Sequence, residues 1–233
     1  MTARWIAALL LVSLALAGCG GAERGSGSAR LWITRDRGTT LLVDTTVPAG
    51  ETLMRALRFK VKVETRYGGR FVEAIDGVHG SLSARHDWFW FVNGLAGDTS
   101  AAEYRLHAGD VAWWDYRDWS DDPELAVVVG AFPEPFLHGV DGVRRSVVVR
   151  YANSSLRADA RRIGRRIHAS GIVSLGVRVP FGVDVFELLA GPPTFVARQK
   201  QPGSGPRSPI VFSFSGDVDK LLAGAYTRRF SVP

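Results

Sequence analysis

Residues 88–94 read Trp88-Phe89-Trp90-Phe91-Val92-Asn93-Gly94. Five aromatic or β-branched residues in a row, stopped by Asn-Gly, spell a strand that ends in a tight turn. Successive side chains of a strand point to opposite faces of its sheet. Trp88, Trp90 and Val92 therefore share one face, and Phe89, Phe91 and Asn93 share the other. A second apolar run, Val111-Ala112-Trp113-Trp114-Asp115-Tyr116, opens after Gly109-Asp110. It is two-sided as well, with Trp113, Asp115 and Arg117 opposed by Trp114 and Tyr116. Large rings on both sides require the sheet to be covered twice.

Upstream, Leu31–Arg35 and Leu41–Val47 alternate around a turn at Asp36–Thr40 that contains Gly38, which predicts a hairpin. Pro48-Ala49-Gly50 ends it. Glu51–Lys60 then sets Leu53, Met54, Ala56 and Leu57 at helical spacing. Val61, Val63 and Thr65 alternate, and Phe71–Ile75 forms another short strand before the turn dipeptide Asp76-Gly77. The order is hairpin, one helix, then strands, which is the β-grasp pattern.

One helix shelters one face. The other face has three candidate covers: the second half of the chain, a partner protein, or a planar ligand stacked on the indoles. Trp88, Trp90, Asn93, Trp113, Trp114 and Tyr116 form the candidate ligand-binding set, with Asn93 also making the turn. A buried indole N–H needs an acceptor, and Asp87, Asp115 and Asp118 are at hand.

Four phrases occur in order: Tyr67-Gly68-Gly69-Arg70-Phe71-Val72, then Ile75-Asp76-Gly77, then Trp88–Gly94, then Ala108-Gly109-Asp110 ahead of Trp113-Trp114-Asp115-Tyr116. Together they resemble the transcobalamin-like C-terminal domain. That family occurs in animal cobalamin carriers and in many bacterial surface proteins of unknown function. The resemblance covers residues 40–118 and implies a corrinoid-like small ligand as the first to test.

The N-terminus carries a single charge at Arg4, followed by the apolar run Trp5–Leu16, shorter than a bilayer span. It ends in Leu16-Ala17-Gly18-Cys19, which resembles the lipobox of bacterial lipoproteins. The resemblance implies cleavage after Gly18 and diacylglycerol on the Cys19 thiol. Cys19 is the single cysteine, so no intrachain disulfide forms. Gly20–Ala29, rich in Gly, Ser and Ala, reads as a flexible tether.

Beyond Asp118, the acidic stretch to Pro123 reads as a linker. Leu125–Val129, Ser146–Tyr151, Ile172–Val179, Val183–Leu189, Ile210–Phe214 and Tyr226–Val232 read as strands. Arg157–His168 reads as a helix with an apolar stripe of Leu156, Ala160, Ile163 and Ile167. Its arginines read as a solvated face, with phosphate or anionic lipid headgroups as the functional alternative. Gln199–Ser208 reads as a loop, and Asp217–Leu222 as one helical turn.

The predicted class is α+β. Residues 1–18 are a signal peptide, 19–29 a lipidated tether and 30–118 a transcobalamin-like β-grasp domain. Residues 119–124 are a linker, and 125–233 a second, small α+β domain of no recognised family.

Apolar residues make up 46% of the chain and charged residues 22%, the balance of a folded globular body. The net charge of +6 comes almost wholly from scattered arginines, which does not favour nucleic acid as a partner. The histidines, at 79, 86, 107, 138 and 168, offer no metal spacing. No nucleophile elbow, phosphate loop or dinucleotide fingerprint occurs, so no enzyme, metal or cofactor is expected.

The sequence thus describes an exported lipoprotein held to the extracytoplasmic membrane face through Cys19. Its expected role is non-catalytic binding of a small ligand. The alternative is a structural lipoprotein that engages another envelope protein.

Overall fold

The computed structural model describes residues 27–122 and 124–233; Cys19 and the N-terminal run lie outside them. The first half opens with β1 (Ser28–Arg35) and β2 (Thr40–Pro48), an antiparallel hairpin. Helix α1 (Leu53–Arg58) follows, with Thr52 as its N-cap: the Thr52 hydroxyl accepts from the Arg55 N–H at 3.2 Å. Strands β3 (Val63–Arg66), β4 (Phe71–Ile75) and β5 (Val78–His79) form a small antiparallel sheet. Then come β6 (His86–Val92), β7 (Leu95–Ala96) and β8 (Val111–Asp118).

The main sheet of this half is ordered β2-β1-β8-β6-β7. Its first and last long strands, β1 and β8, are parallel neighbours at the centre. One face packs on α1: Leu53, Met54, Ala56 and Leu57 meet Leu31, Ile33, Trp88, Val92 and Trp114 in a single apolar cluster.

The second half builds another five-stranded sheet, ordered β10-β9-β11-β13-β12. Its strands are β9 (Val147–Tyr151), β10 (Gly171–Ser174), β11 (Asp184–Leu188), β12 (Thr194–Gln199) and β13 (Ile210–Ser215). Helix α2 (Arg157–Arg166) connects β9 to its parallel neighbour β10, and α3 (Val218–Leu222) follows β13. Phe136, Phe186, Phe195, Phe212 and Phe214 fill the core with edge-on and tilted contacts. On α2, Ala160 and Ile163 face inward, as the stripe predicts. Arg157, Arg161, Arg165 and Arg166 are exposed, while Arg162 is paired with Asp159 and Asp219.

The α+β class is corrected. The fold is β-rich, with three sheets and strand outweighing helix, 38% to 15%. The helices are short and cover little area, so irregular chain and a third small sheet do much of the covering. Two predicted strands are also absent. Residues 125–131 form a single bridge, Val127 to Leu95, and a 3-10 turn at Val129–Ala131. Residues 226–232 run irregularly and touch β12 at one bridge, Val232 to Phe195.

Those two irregular segments cover the second face of the first sheet. Trp32, Phe91 and Trp113 cluster with Val128, Ala131 and Phe230. Backbone bonds hold the cover in place: Val128 N–H donates to the Gly94 carbonyl at 2.8 Å, and Ala96 N–H to the Ala126 carbonyl at 2.9 Å.

Candidate functional site

Of the three covers the sequence left open, the chain itself supplies the one over Trp113. Trp113 (0% exposed), Trp114 (2%), Trp88 (4%) and Asn93 (0%) are all internal. Trp90 and Tyr116 are half-buried. The five aromatic candidates also fall on two faces: Trp88, Trp90, Trp114 and Tyr116 belong to the α1 side, and Trp113 to the opposite side. Among the described residues there is no open platform of stacked indoles.

Two of the internal indoles have structural partners. Trp113 Nε1–H donates to Thr34 Oγ1 at 2.7 Å, and Trp88 Nε1–H to the Val78 carbonyl at 2.8 Å. The aspartates are therefore not the direct acceptors. Asp115 instead binds the Thr34 hydroxyl and the N–H groups of Gly38 (2.9 Å) and Arg37 (3.1 Å). Burial still pushes its carboxyl up to about 6, against the opposing pull of these bonds.

Asn93 is a joint. Its Nδ2 donates to Asp110 Oδ1 at 2.7 Å and to the Gly139 carbonyl at 2.8 Å, and its Oδ1 accepts from the Val111 N–H at 2.8 Å. Next to it, Glu134 accepts from His138 N–H at 3.0 Å and lies 2.6 Å from His138 Nδ1. Burial raises the carboxyls of both Asp110 and Glu134 above their ordinary values. Among the described residues, no group of three His, Cys, Asp or Glu side chains is placed to hold a metal ion.

A cleft lies along the free edge of β6, and Trp88, Trp90 and Trp114 of the six candidates line it. On its inner side β6 pairs with β8 from His86 to Val92. On its outer side the pairing is broken. Ser81 bridges His86 at one end, and β7 pairs only with Phe91 and Val92 at the other, with Gly97 N–H donating to the Trp90 carbonyl at 3.1 Å. Between them the Trp88 N–H is taken by the Asp87 carboxylate at 2.8 Å. The Trp88 carbonyl and the Trp90 N–H have no hydrogen-bond partner among the described residues.

A cleft of about 570 Å³ opens at this gap, within the range of small-ligand sites. Consecutive residues Asp87–Phe91 line it, so both faces of the sheet contribute walls. Met54, Val72 and Trp90 line one side; Phe89, Arg117 and Leu125 line the other. Gly203, Gly205 and Pro206, from the β12–β13 loop, complete it.

The Trp90 indole occupies the space that a Cβ at Gly97 would need, so glycine there allows the ring to lie against the backbone. Arg117 sits 4.2 Å from the Phe89 ring centroid, a cation–π contact. Trp114 Nε1 and Arg117 Nε are buried without an acceptor among the described residues, and both side chains line the cleft. Burial holds the Asp87 carboxyl above its ordinary value, although the Trp88 N–H bond draws it down.

Strand alternation points to Trp88, Trp90 and Trp114 but not to the cleft they line. β7 is only two residues long, and the broken pairing depends on where Gly97 and Asp98 turn away, which hydrophobic alternation does not encode. Phe89 was placed correctly on the second face but not singled out.

The geometry defines a β-sheet body with one incompletely paired strand set inside a cleft. Residues 50–118 match the profile of DUF4430, a domain of unknown function; this is less than a third of the chain. No curated protein matches. A crystal structure of a protein from Ruminococcus gnavus ATCC 29149, provisionally assigned to metal binding, is similar at 17% identity and a TM-score of 0.34, over 40% of this chain and 97% of that one. A crystal structure of haptocorrin in complex with Cbi is similar at 17% identity and a TM-score of 0.31. That similarity covers 39% of this chain and 26% of haptocorrin.

Proposed function

We propose that the protein is a lipid-anchored module of the cell envelope that binds a ligand without transforming it, seated in the cleft along β6. One observation carries this reading. The cleft combines aromatic and apolar walls with two main-chain groups on the β6 edge that lack partners among the described residues: the Trp88 carbonyl and the Trp90 N–H. An unpaired strand edge offers main-chain groups to an incoming partner, so a ligand with complementary groups gains by entering.

The non-catalytic part rests on the sequence. The sequence carries no nucleophile elbow, phosphate loop or dinucleotide fingerprint. Anchoring rests on the lipobox-like tetrapeptide ending at Cys19, and the extracytoplasmic location follows from it. Labelled palmitate should enter the protein and be lost in Cys19→Ala; equal labelling of both would overturn the anchor.

The transcobalamin-like resemblance makes a corrinoid the first small molecule to test. Cobalamin added to the full-length protein in detergent should quench tryptophan emission beyond its own absorbance, and Trp90→Ala should reduce that quenching. Unchanged quenching in Trp90→Ala would place the binding elsewhere.

A second reading, a structural lipoprotein engaging another envelope protein, is favoured by the internal placement of Trp88, Trp113 and Trp114. It differs in giving no small-molecule response.

A further inference from the structure

The pattern of satisfied and unsatisfied groups along β6 identifies the occupant more closely. The Trp88 carbonyl and the Trp90 N–H flank Phe89 and point away from β8, since Phe89 is the residue whose own groups face that strand. An acceptor and a donor two residues apart on one strand edge form the pair that an added strand engages. A parallel strand meets them with the N–H and C=O of one residue; an antiparallel strand meets them with two residues flanking the position opposite Phe89. An extended segment also sends alternate side chains to opposite faces. The cleft has a wall on each face: Met54 and Trp90 on one, Phe89 and Leu125 on the other.

Charge narrows the choice. The protein is basic overall, yet Asp87, Asp98 and Glu124 line the cleft with no salt-bridge partner among the described residues. The two arginines on the walls are already engaged. Arg70 pairs with Glu103, and Arg117 donates to the Asp122 carbonyl at 3.0 Å while lying over Phe89.

We infer that the cleft takes an extended polypeptide segment that adds to β6 as a strand beside Phe89, with apolar side chains on alternate faces and a lysine or arginine at the acidic rim. The inference rests on reading the cleft as a binding site and names its ligand class. Strand addition draws affinity from main-chain hydrogen bonds and specificity from the pockets for alternate side chains.

Peptides about eight residues long test it against the unaltered full-length protein in detergent. One has consecutive valines at its centre, so that both faces are apolar, and lysines at its ends; a second replaces lysine with glutamate, and a third is the lysine peptide N-methylated along one edge, made for each of its two edges. Calorimetry reads affinity, and amide exchange reads the Trp90 N–H. The lysine peptide should bind and slow Trp90 exchange. One of the two N-methylated forms, and the glutamate peptide, should each bind about tenfold more weakly or worse. Glu124→Gln together with Asp98→Asn should narrow the gap between the lysine and glutamate peptides.

Binding indifferent to N-methylation on either edge would overturn strand addition. Binding of cobalamin but of no peptide would preserve the cleft as a site and overturn the peptide as its ligand. Absence of binding by both would overturn the binding reading itself.

Discussion

The Phe230 ring stands edge-on to the Trp113 indole, with centroids 5.1 Å apart and planes at 88°. It makes a similar contact with Phe91, at 5.3 Å and 78°. One ring from the 226–232 segment thus completes the covered face of the first sheet. Phe230→Ala should cost about 3–5 kcal/mol, the usual penalty for emptying such a site. Denaturant midpoints will show the loss. The emission maximum should also move to the red as water reaches Trp113, and an unshifted spectrum would mean that residues 125–131 suffice as cover.

Asn93 should be nearly irreplaceable. Its side chain serves Asp110, Gly139 and Val111 at once, and its backbone sits at a φ of 55°, in the left-handed region that asparagine tolerates better than most residues. Asn93→Ala strands a buried carboxylate oxygen and a buried carbonyl and adds backbone strain. A loss of about 2–4 kcal/mol is expected from equilibrium unfolding. Asn93→Asp should be at least as damaging, because it sets two carboxylates against each other.

The protein should be more stable at pH 5 than at pH 7.5. Burial raises the carboxyls of Asp115 and Asp184 from 3.8 to about 6, so the folded state holds their protons more tightly than the unfolded chain does. Each contribution is complete below about pH 4, shrinks as pH rises toward 6 and is gone above it, worth up to about 3 kcal/mol per group. Asp44, drawn down by its bond to Arg30, acts in the opposite sense, and its contribution fades only as pH falls below the ordinary carboxylate range. Unfolding midpoints measured between pH 4.5 and 7.5 test the sign, and a midpoint that falls on moving from 7.5 to 5 would contradict it.

Gly97→Ala should alter the cleft while leaving the fold intact. The added methyl collides with the Trp90 indole, and Gly97 is not in the left-handed region, so the ring rather than the backbone must give way. Near-ultraviolet dichroism and the Trp90 contribution to fluorescence should change, with global stability lowered by only about 1–2 kcal/mol. A crystal structure of the variant with Trp90 unmoved would refute the proposed packing.

The first half was largely readable. The β1–β2 hairpin, α1, β4, β6 and β8 stand close to where alternation and helical spacing put them, because each has one face committed to a core. The assignment of Trp88 and Trp90 to one face and Phe91 to the other also agrees with the packing. The second half was harder. Val127–Val129 has the composition of a buried strand, yet it lies across a sheet rather than within one, and composition does not distinguish the two. The Thr194–Gln199 strand was not assigned, since Pro192-Pro193 and the glycine-rich stretch beyond it dominate the local signal. The helical stripe of α2 was legible because Ala160 and Ile163 repeat with the helix. The cleft was not legible, since it arises where pairing stops, and a missing partner leaves no mark on the strand that lacks it.

The contact between Phe230 and the sheet of Trp32, Phe91 and Trp113 also constrains how the molecule is made. Trp32 and Phe230 lie far apart in the sequence, so a length of polypeptide that stops short of residue 230 lacks the last ring of that side of the first sheet. A chain growing from its N-terminus therefore keeps a greasy flank until residue 230 has been made, which exposes it to capture by chaperones on the way.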